Sequence, residues 1–264
     1  MSILLALALG ILQGLTEFLP VSSSGHLLIV QKIFGLDEML FFNILLHLGT
    51  LFAVCWVMRK EIWEMVKHPF SRKTLMLVLA SVVTAAIYFL LKNFFDSAFE
   101  GSLLGYCFIV TAIILFVVES LPGGKRTSEN MKWSDSVVMG LMQGLAILPG
   151  ISRAGATLSG GMLAGMERKE AARFSFLMSI PVILGSFILE GKDVISQPEL
   201  MQNIDWLPII IGVAAAAVSG FLAIRFMLKL IEKMSLKIFS AYVGGLGLLI
   251  LADQWFFHII NWGA

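Results

Sequence analysis

Long apolar segments alternate with short polar ones along almost the whole chain. A helix needs about 20 mostly apolar residues to cross a hydrocarbon core ~30 Å thick, because it rises ~1.5 Å per residue. Six stretches meet this length, and they lie at residues 39–58, 74–92, 101–119, 174–190, 207–228 and 238–258. The pattern therefore predicts about six transmembrane helices.

Two further apolar regions, residues 2–34 and 134–166, are interrupted near their middle by Pro, Gly, Ser and a charged residue. Each half is too short to cross a bilayer alone. Broken backbone at membrane depth is tolerated only where protein or a water-filled cavity covers it. We therefore expect both regions to form re-entrant helical hairpins, each entering and leaving by the same face.

Composition agrees with this pattern. Apolar residues make up 58% of the 264 residues before glycine is counted, charged residues only 14%, and the mean hydropathy is +0.89. A soluble domain has roughly 45–50% apolar residues with glycine included. The composition predicts an all-α polytopic membrane protein that forms one membrane domain over residues 1–264. A net charge of +1 without a basic patch gives no reason to expect a nucleic-acid partner, and a homodimer is left open.

Positive charge is distributed unevenly between the two faces that six spans would create. Most of the 19 Lys and Arg residues fall in one set of loops, at residues 59–73, 125–132, 168–173 and 225–237. The positive-inside rule places these loops in the cytoplasm and both termini outside. Had residues 134–166 crossed the membrane fully, the later charges would have changed sides, so the distribution also favours a hairpin there.

The two broken regions repeat each other. Gly10–Leu15 reads GILQGL and Gly140–Leu145 reads GLMQGL, an offset of 130 residues. Each predicted hairpin is followed by three spans, so residues 1–120 and 134–264 would be two repeats of opposite orientation. Such inverted-topology repeats bring their broken helices together near the bilayer midplane. Small-residue segments also serve close helix packing alone, but two of them at a fixed offset, each with polar groups at its break, favour a site.

Three ionisable residues lie at the two breaks: Glu17, His26 and Arg153. Charged groups at membrane depth are costly and usually functional. Ser22–Gly25 precedes an apolar helix, so its hydroxyls and N–H groups would form an anion site at a helix N-terminus. Ser152–Thr157 repeats the arrangement, and the guanidinium of Arg153 suits phosphate oxygens. A carboxylate beside an anion site suits Mg²⁺ or Ca²⁺, and the set suits phosphoryl transfer.

The two motifs QGLTEFLPVSSSGH at residues 13–26 and PGISRAGAT at residues 149–157 strongly resemble those of the undecaprenyl-diphosphate phosphatase (bacitracin resistance) family. The resemblance covers essentially the whole chain. It implies hydrolysis of undecaprenyl diphosphate to undecaprenyl phosphate and inorganic phosphate, which recycles the carrier lipid for cell-wall synthesis and confers bacitracin resistance. It also implies a divalent cation, a place in the bacterial cell (inner) membrane, and a site open to the outer face.

Residue roles follow from the resemblance and the chemistry together. Glu17 is the expected cation ligand, joined by Gln13, whose neutral oxygen is a weaker ligand than the Glu found there in some relatives. Arg153 would clamp the diphosphate, Ser23 would attack the terminal phosphorus, and His26 would take its proton. The rival nucleophiles are His26 itself and a metal-bound water. The hydroxyls expected to contact the substrate are those of Ser22, Ser24, Ser152 and Thr157.

Two alternatives remain open from the sequence. Inverted repeats and broken helices are also transporter architecture, so a transporter or flippase of a phosphorylated lipid is the competing function. Phosphate release would distinguish the two. His47, in the middle of the 39–58 span, either lines the site cavity or packs with its ring bonded to a backbone carbonyl.

Overall fold

The computed structural model describes residues 1–36, 39–98, 101–196 and 205–262. The regular elements in these ranges are helical, apart from a single bridge between Arg126 and Met166 and with one π-helical turn at Asp253–Phe257. The α-helices are α1 (Ile3–Phe18), α2 (Ser23–Phe34), α3 (Leu40–Val57), α4 (Arg59–Lys67), α5 (Arg72–Ala98), α6 (Leu104–Glu119), α7 (Trp133–Leu145), α8 (Arg153–Leu163), α9 (Arg168–Ser196), α10 (Trp206–Leu230) and α11 (Leu236–Ala252). The predicted all-α class is confirmed.

Four helical segments within the described ranges are long and apolar enough to cross a membrane: Arg72–Phe95, Arg168–Leu189, Trp206–Leu230 and Leu236–Phe257. A fifth candidate is the pair α3 and α4, which bends by 74° at its break. The sixth predicted span coincides with α6, which has 16 residues and is therefore about 24 Å long, short of the ~30 Å hydrocarbon core. The multi-pass prediction is confirmed, with four to five of the six spans meeting the length criterion.

Helix α4 is a feature that the sequence pattern did not predict. The charges predict a basic loop over residues 59–73, because nine residues with several charges resemble neither a span nor a core helix. None of its residues is buried, and Lys67 Nζ lies 5.5 Å from the centre of the Trp63 ring. Basic and aromatic side chains on one exposed short helix are typical of a segment that lies along a membrane surface.

Each predicted hairpin region contains two short helices separated by a break. Helices α1 and α2 meet across residues 19–22, and α7 and α8 meet across residues 146–152. Within each pair the two helices contact each other. The breaks thus fall where Pro, Gly and Ser interrupt the apolar pattern. The inverted relation between the two halves of the chain stays a prediction.

The first helix of each hairpin region packs on a helix from the other half of the chain. Helix α1 packs on α10 of the second half, and α7 packs on α5 of the first half. The Ser219 hydroxyl donates to the Ala215 carbonyl of its own helix (2.7 Å) and lies 3.4 Å from the Gly10 carbonyl. The Thr84 hydroxyl donates to the Ala80 carbonyl of its own helix (2.9 Å) and lies 3.1 Å from the Gly140 carbonyl. A hydroxyl of the other half of the chain thus lies beside the carbonyl of one glycine in each hairpin region.

The interior and the surface are apolar for different reasons. The largest fully buried side chains include Phe18, Phe108 and Phe174, which belong to one core cluster beside the hairpin tips. Large apolar side chains such as Phe89 and Leu90 are exposed on the outside of the helices. A soluble protein rarely shows so continuous an apolar surface, whereas a bilayer covers it.

Gly10 sets how closely α1 approaches α10, so Gly10→Ala should lower the thermal unfolding temperature in detergent by several degrees. A Cβ at Gly10 would collide with the backbone carbonyl of Gly212, which cannot move aside as a flexible side chain would. Overpacking typically costs about 1–3 kcal/mol. The matched control is Gly245→Ala in α11, where a Cβ meets nothing within 4 Å. Equal melting temperatures for the two variants would contradict the expected close packing.

Candidate active site

The tips of the two hairpins touch at Ser22. Its hydroxyl oxygen accepts the N–H of Gly25 at 3.3 Å, which caps α2, and the N–H of Gly150 at 3.1 Å from the other tip. The backbone of Ser22 has a φ of +69°, a region that non-glycine residues rarely adopt. A strained residue of this kind persists where its surroundings fix it, and such positions cluster at functional sites.

The second tip is fixed by Thr111 of α6. Its hydroxyl donates to the Gly150 carbonyl (2.9 Å) and accepts the N–H of Ser152 (3.0 Å). Gly150 has a φ of +94°, and a Cβ there would lie 2.7 Å from the Cβ of Cys107, so only glycine fits. The Ser152 hydroxyl then accepts the N–H of Gly155 and starts α8, which makes Arg153 its first residue.

Glu17, at the end of α1, is the centre of the polar cluster. It is 7% exposed. Its Oε1 accepts a hydrogen bond from Arg153 Nη2 at 2.5 Å, and its Oε2 accepts from Ser23 Oγ at 2.5 Å and from Gln13 Nε2 at 2.9 Å. The structure thus brings together four residues that the sequence singled out, from three different helices.

The Glu17–Arg153 contact is a buried ion pair between the two hairpins. The side chain of Arg153 is 12% exposed and that of Glu17 is 6% exposed. Removing one partner of such a pair leaves an uncompensated charge and costs about 3–5 kcal/mol. Arg153 Cζ also lies 6.0 Å from the centre of the Phe18 ring, a weak cation–π contact. The site residues are therefore held firmly before any substrate arrives.

Two buried polar atoms in the cluster have no hydrogen-bond partner: Arg153 Nη1 and Gln13 Oε1. An unsatisfied buried donor or acceptor costs about 1–3 kcal/mol, and native proteins rarely leave one without a reason. The first is a donor suited to a phosphate oxygen, and the second is an acceptor suited to a cation. Both are therefore groups that a bound ligand would satisfy.

His26 has both ring nitrogens engaged away from Ser23. Nδ1 donates to the Ser22 carbonyl at 2.7 Å, since a carbonyl can only accept, and Nε2 lies 2.8 Å from the hydroxyl of Tyr242 on α11. The two rings stack with centres 5.7 Å apart. For His26 to take the proton of Ser23, Nε2 must first leave Tyr242. That role stays a prediction.

The hydroxyls expected to contact the substrate have mainly structural partners here. Ser22 and Ser152 bind backbone N–H groups at the tips, as described above. Thr157 is fully buried, donates to the Arg153 carbonyl (2.8 Å) and lies 2.5 Å from the Ser175 hydroxyl. Ser24 is partly exposed, with its Oγ 3.4 Å from that of Ser22. Direct substrate contact by these four side chains stays a prediction.

Three further residues lie at the site but outside the two motifs. Tyr242 contacts His26, Thr111 contacts the second hairpin tip, and His47 lies beside Glu17. Tyr242 and Thr111 carried no signal, because single polar residues within apolar spans are common. The sequence leaves open whether His47 lines the site cavity or packs with its ring bonded to a backbone carbonyl, and the structure shows features of both. Its Nδ1 donates to the Asn43 carbonyl at 2.8 Å, while its Nε2 lies 3.8 Å from Glu17 Oε2.

No group of three His, Cys, Asp or Glu residues that could hold a metal by itself occurs in the described part of the chain. The cluster contains the carboxylate of Glu17, the hydroxyl of Ser23 and the partnerless amide oxygen of Gln13. Mg²⁺ commonly binds through one or two carboxylates together with substrate phosphates. The donor set therefore fits a cation that binds together with a phosphorylated substrate.

Comparison with known proteins gives a consistent result. A model of the family described as "Bacitracin resistance protein BacA" matches residues 6–249. A protein of Carboxydothermus hydrogenoformans named "Undecaprenyl-diphosphatase" is 47% identical over 251 residues, which cover 94% of this chain and 96% of that protein. "Undecaprenyl-diphosphatase 4" of Bacillus cereus is 39% identical over the same coverage. An "Undecaprenyl-diphosphatase" of Methanobrevibacter smithii is 36% identical over 272 residues, covering 95% of this chain and 97% of that protein.

Proposed function

The chain belongs to the bacitracin resistance protein BacA family, and on that premise we propose that it hydrolyses undecaprenyl diphosphate to undecaprenyl phosphate and inorganic phosphate. The observation that carries the proposal is the buried cluster of Glu17, Arg153 and Ser23 at the joint of the hairpin tips. The cluster combines a guanidinium that can bind phosphate, a carboxylate, and a hydroxyl that can act as the nucleophile. In the cell, the reaction would return the carrier lipid to cell-wall synthesis and confer bacitracin resistance.

Arg153 would bind the diphosphate. Nη2 of Arg153 donates to Glu17 and Nη1 is buried without a partner, so Nη1 can bind a phosphate oxygen without breaking the ion pair. The first N–H groups of α2 and α8 add positive potential, since both helices begin at the tips. Phosphoryl transfer depends chiefly on such positioning and charge stabilisation.

Ser23 would be the nucleophile. Its hydroxyl already donates to Glu17, so this carboxylate is the first acceptor for its proton. Attack by Oγ forms a bond to the terminal phosphorus and breaks the bond to the bridging oxygen, which leaves with undecaprenyl phosphate. Water then hydrolyses the phosphoserine. His26 can serve as the proton acceptor only after its Nε2 turns away from Tyr242.

Glu17 and Gln13 would hold a divalent cation, Mg²⁺ or Ca²⁺, against the diphosphate. The support is the donor chemistry: one carboxylate and one buried amide oxygen without a partner. When bound, such an ion neutralises phosphate charge and polarises the phosphorus–oxygen bonds. Gln13 and Ser23 both donate to Glu17, which keeps these side chains together in one cluster.

We place the protein in the bacterial cell membrane with its site open to the outer face. The support is the charge distribution of the loops, which puts most Lys and Arg residues in the cytoplasm. The four to five apolar helices capable of crossing a membrane require a bilayer whichever face the site opens to.

The direct test is phosphate release from undecaprenyl diphosphate by the purified protein in mild detergent, with added Mg²⁺ or Ca²⁺ and with a chelator. We expect release that requires the cation. Well-folded protein that binds the lipid without releasing phosphate would refute the phosphatase and favour the lipid transporter. Phosphate release that is unchanged by the chelator would refute the requirement for a divalent cation.

A further inference from the structure

We propose that His47 is a third donor of the cation site, so that this site contains one imidazole nitrogen beside the oxygens of Glu17 and Gln13. The proposal rests on the proposed function, because it concerns the cation of that reaction. It adds a residue from α3, a helix that neither hairpin motif includes. It also changes which divalent ions the site should prefer.

The hydrogen bonding of His47 fixes which nitrogen faces the cluster. Nδ1 lies 2.8 Å from the carbonyl of Asn43, and a carbonyl can only accept, so Nδ1 carries the hydrogen. In the neutral ring this leaves a lone pair on Nε2. Metal-binding histidines are usually held in this way, with the other ring nitrogen donating to a carbonyl or carboxylate.

Nε2 lies 3.8 Å from Glu17 Oε2. The distance is too long for a hydrogen bond, but it is shorter than two metal–ligand bonds of about 2 Å laid end to end. One ion can therefore touch both atoms.

The amide of Gln13 supplies the independent observation. Gln13 is fully buried, and its Oε1 has no partner while its Nε2 donates to the same Glu17 oxygen that faces His47. Turning the amide by half a rotation would present Oε1 on that side. The residue would then exchange a hydrogen bond to Glu17 for a bond to the cation, and its Nε2 would take the buried position that Oε1 has now.

Access and charge agree with this assignment. The His47 side chain is 31% exposed, whereas that of Glu17 is 6% exposed, so the imidazole lies on the open side of the cluster. Arg153 binds the other carboxylate oxygen, Oε1. The guanidinium and the cation would thus occupy opposite oxygens of Glu17, and neither would displace the other.

One nitrogen among oxygen donors shifts the metal preference. Ca²⁺ and Mg²⁺ bind oxygens almost exclusively, whereas imidazole suits transition ions such as Zn²⁺, Fe²⁺ and Ni²⁺. Mn²⁺ is the first-row ion nearest to Mg²⁺ and Ca²⁺ in its preference for oxygens, and it also binds sites that contain nitrogen. We therefore expect Mn²⁺ to bind this mixed site more tightly than Ca²⁺ and to support phosphate release. In His47→Gln, Mn²⁺ should bind at least about ten-fold more weakly, while Ca²⁺ binding should change less.

The test uses Mn²⁺ bound to the full-length protein in detergent, without lipid. Pulsed electron paramagnetic resonance should show modulation from a directly bound imidazole nitrogen. The modulation should disappear in His47→Gln and persist in His68→Gln, the matched control on an exposed histidine. His47→Asn repeats the measurement, so that the result does not depend on the folding of one variant.

The outcomes separate this proposal from the proposed function. Absence of nitrogen modulation in the wild type, or its persistence in folded His47→Gln or His47→Asn, would overturn the assignment of His47, whatever the phosphatase activity. Loss of the modulation in both His47 variants, with the modulation kept in His68→Gln, would support the assignment. Failure of the wild type to release phosphate would refute the proposed function, and the Mn²⁺ spectrum would still report on His47.

Discussion

Replacing Glu17 by Gln should reduce phosphate release at least about a thousand-fold, the scale seen when a charge-positioning group is removed from an active site. The change removes the carboxylate that holds Ser23, Gln13 and Arg153 in one cluster. It also leaves the Arg153 guanidinium buried without its counter-charge. The measurement is phosphate release under saturating cation, beside the thermal unfolding temperature of each variant.

The ion pair allows stability to be separated from catalysis. Glu17→Gln and Arg153→Gln should each lower the unfolding temperature by roughly 10 °C, because an unpaired buried charge costs about 3–5 kcal/mol. The double variant should regain much of that stability and none of the activity. Glu64→Gln is the control, since its carboxylate is 63% exposed and far from the cluster in sequence. Recovery of phosphate release in the double variant would contradict the catalytic roles.

Ser23→Ala should abolish phosphate release to a similar extent, about a thousand-fold or more, and should leave the unfolding temperature nearly unchanged. The hydroxyl is partly exposed and donates only to Glu17, so its loss leaves the carboxylate with two other donors. Ser120→Ala, an exposed serine at the end of α6, is the matched control.

Mass spectrometry after a rapid acid quench should detect phosphate on Ser23 in the wild type. A phosphohistidine on His26 after a base quench would assign the nucleophile to His26 instead. Full activity in Ser23→Ala without any covalent intermediate would assign the attack to water. The three nucleophiles considered from the sequence are thereby distinguished in one preparation.

The positions of the two hairpin tips could be predicted from the sequence. Pro, Gly and Ser break an apolar helix wherever they occur together, and charged residues such as Glu17 and Arg153 remain at a break only where they find partners. The repeat then brings the two breaks together, which is how residues far apart in the chain were expected in one site. The ion pair agrees with that expectation.

Other contacts could not be predicted, because they depend on how separate helices rotate against each other. Thr111 and Tyr242 reach the tips from α6 and α11, and neither lies in a motif. The sequence allows His47 either to line the site or to bond a backbone carbonyl. Only the structure shows that its ring bonds the Asn43 carbonyl and also lies 3.8 Å from Glu17. The length of α6 could not be predicted either. The apolar stretch from 101 to 119 begins with turn residues, and the hydrophobic pattern does not distinguish these from helix.

The packing of α1 on α10 has a consequence for the synthesis of the protein. The chain emerges from the ribosome N-terminus first, so α1 is complete long before residues 206–230 have been made. Throughout that interval the glycine face of α1 lacks its α10 neighbour, and Glu17 lacks its ion-pair partner until Arg153 has been made. The helix that carries the central carboxylate is therefore among the first to be translated and among the last to be fully enclosed.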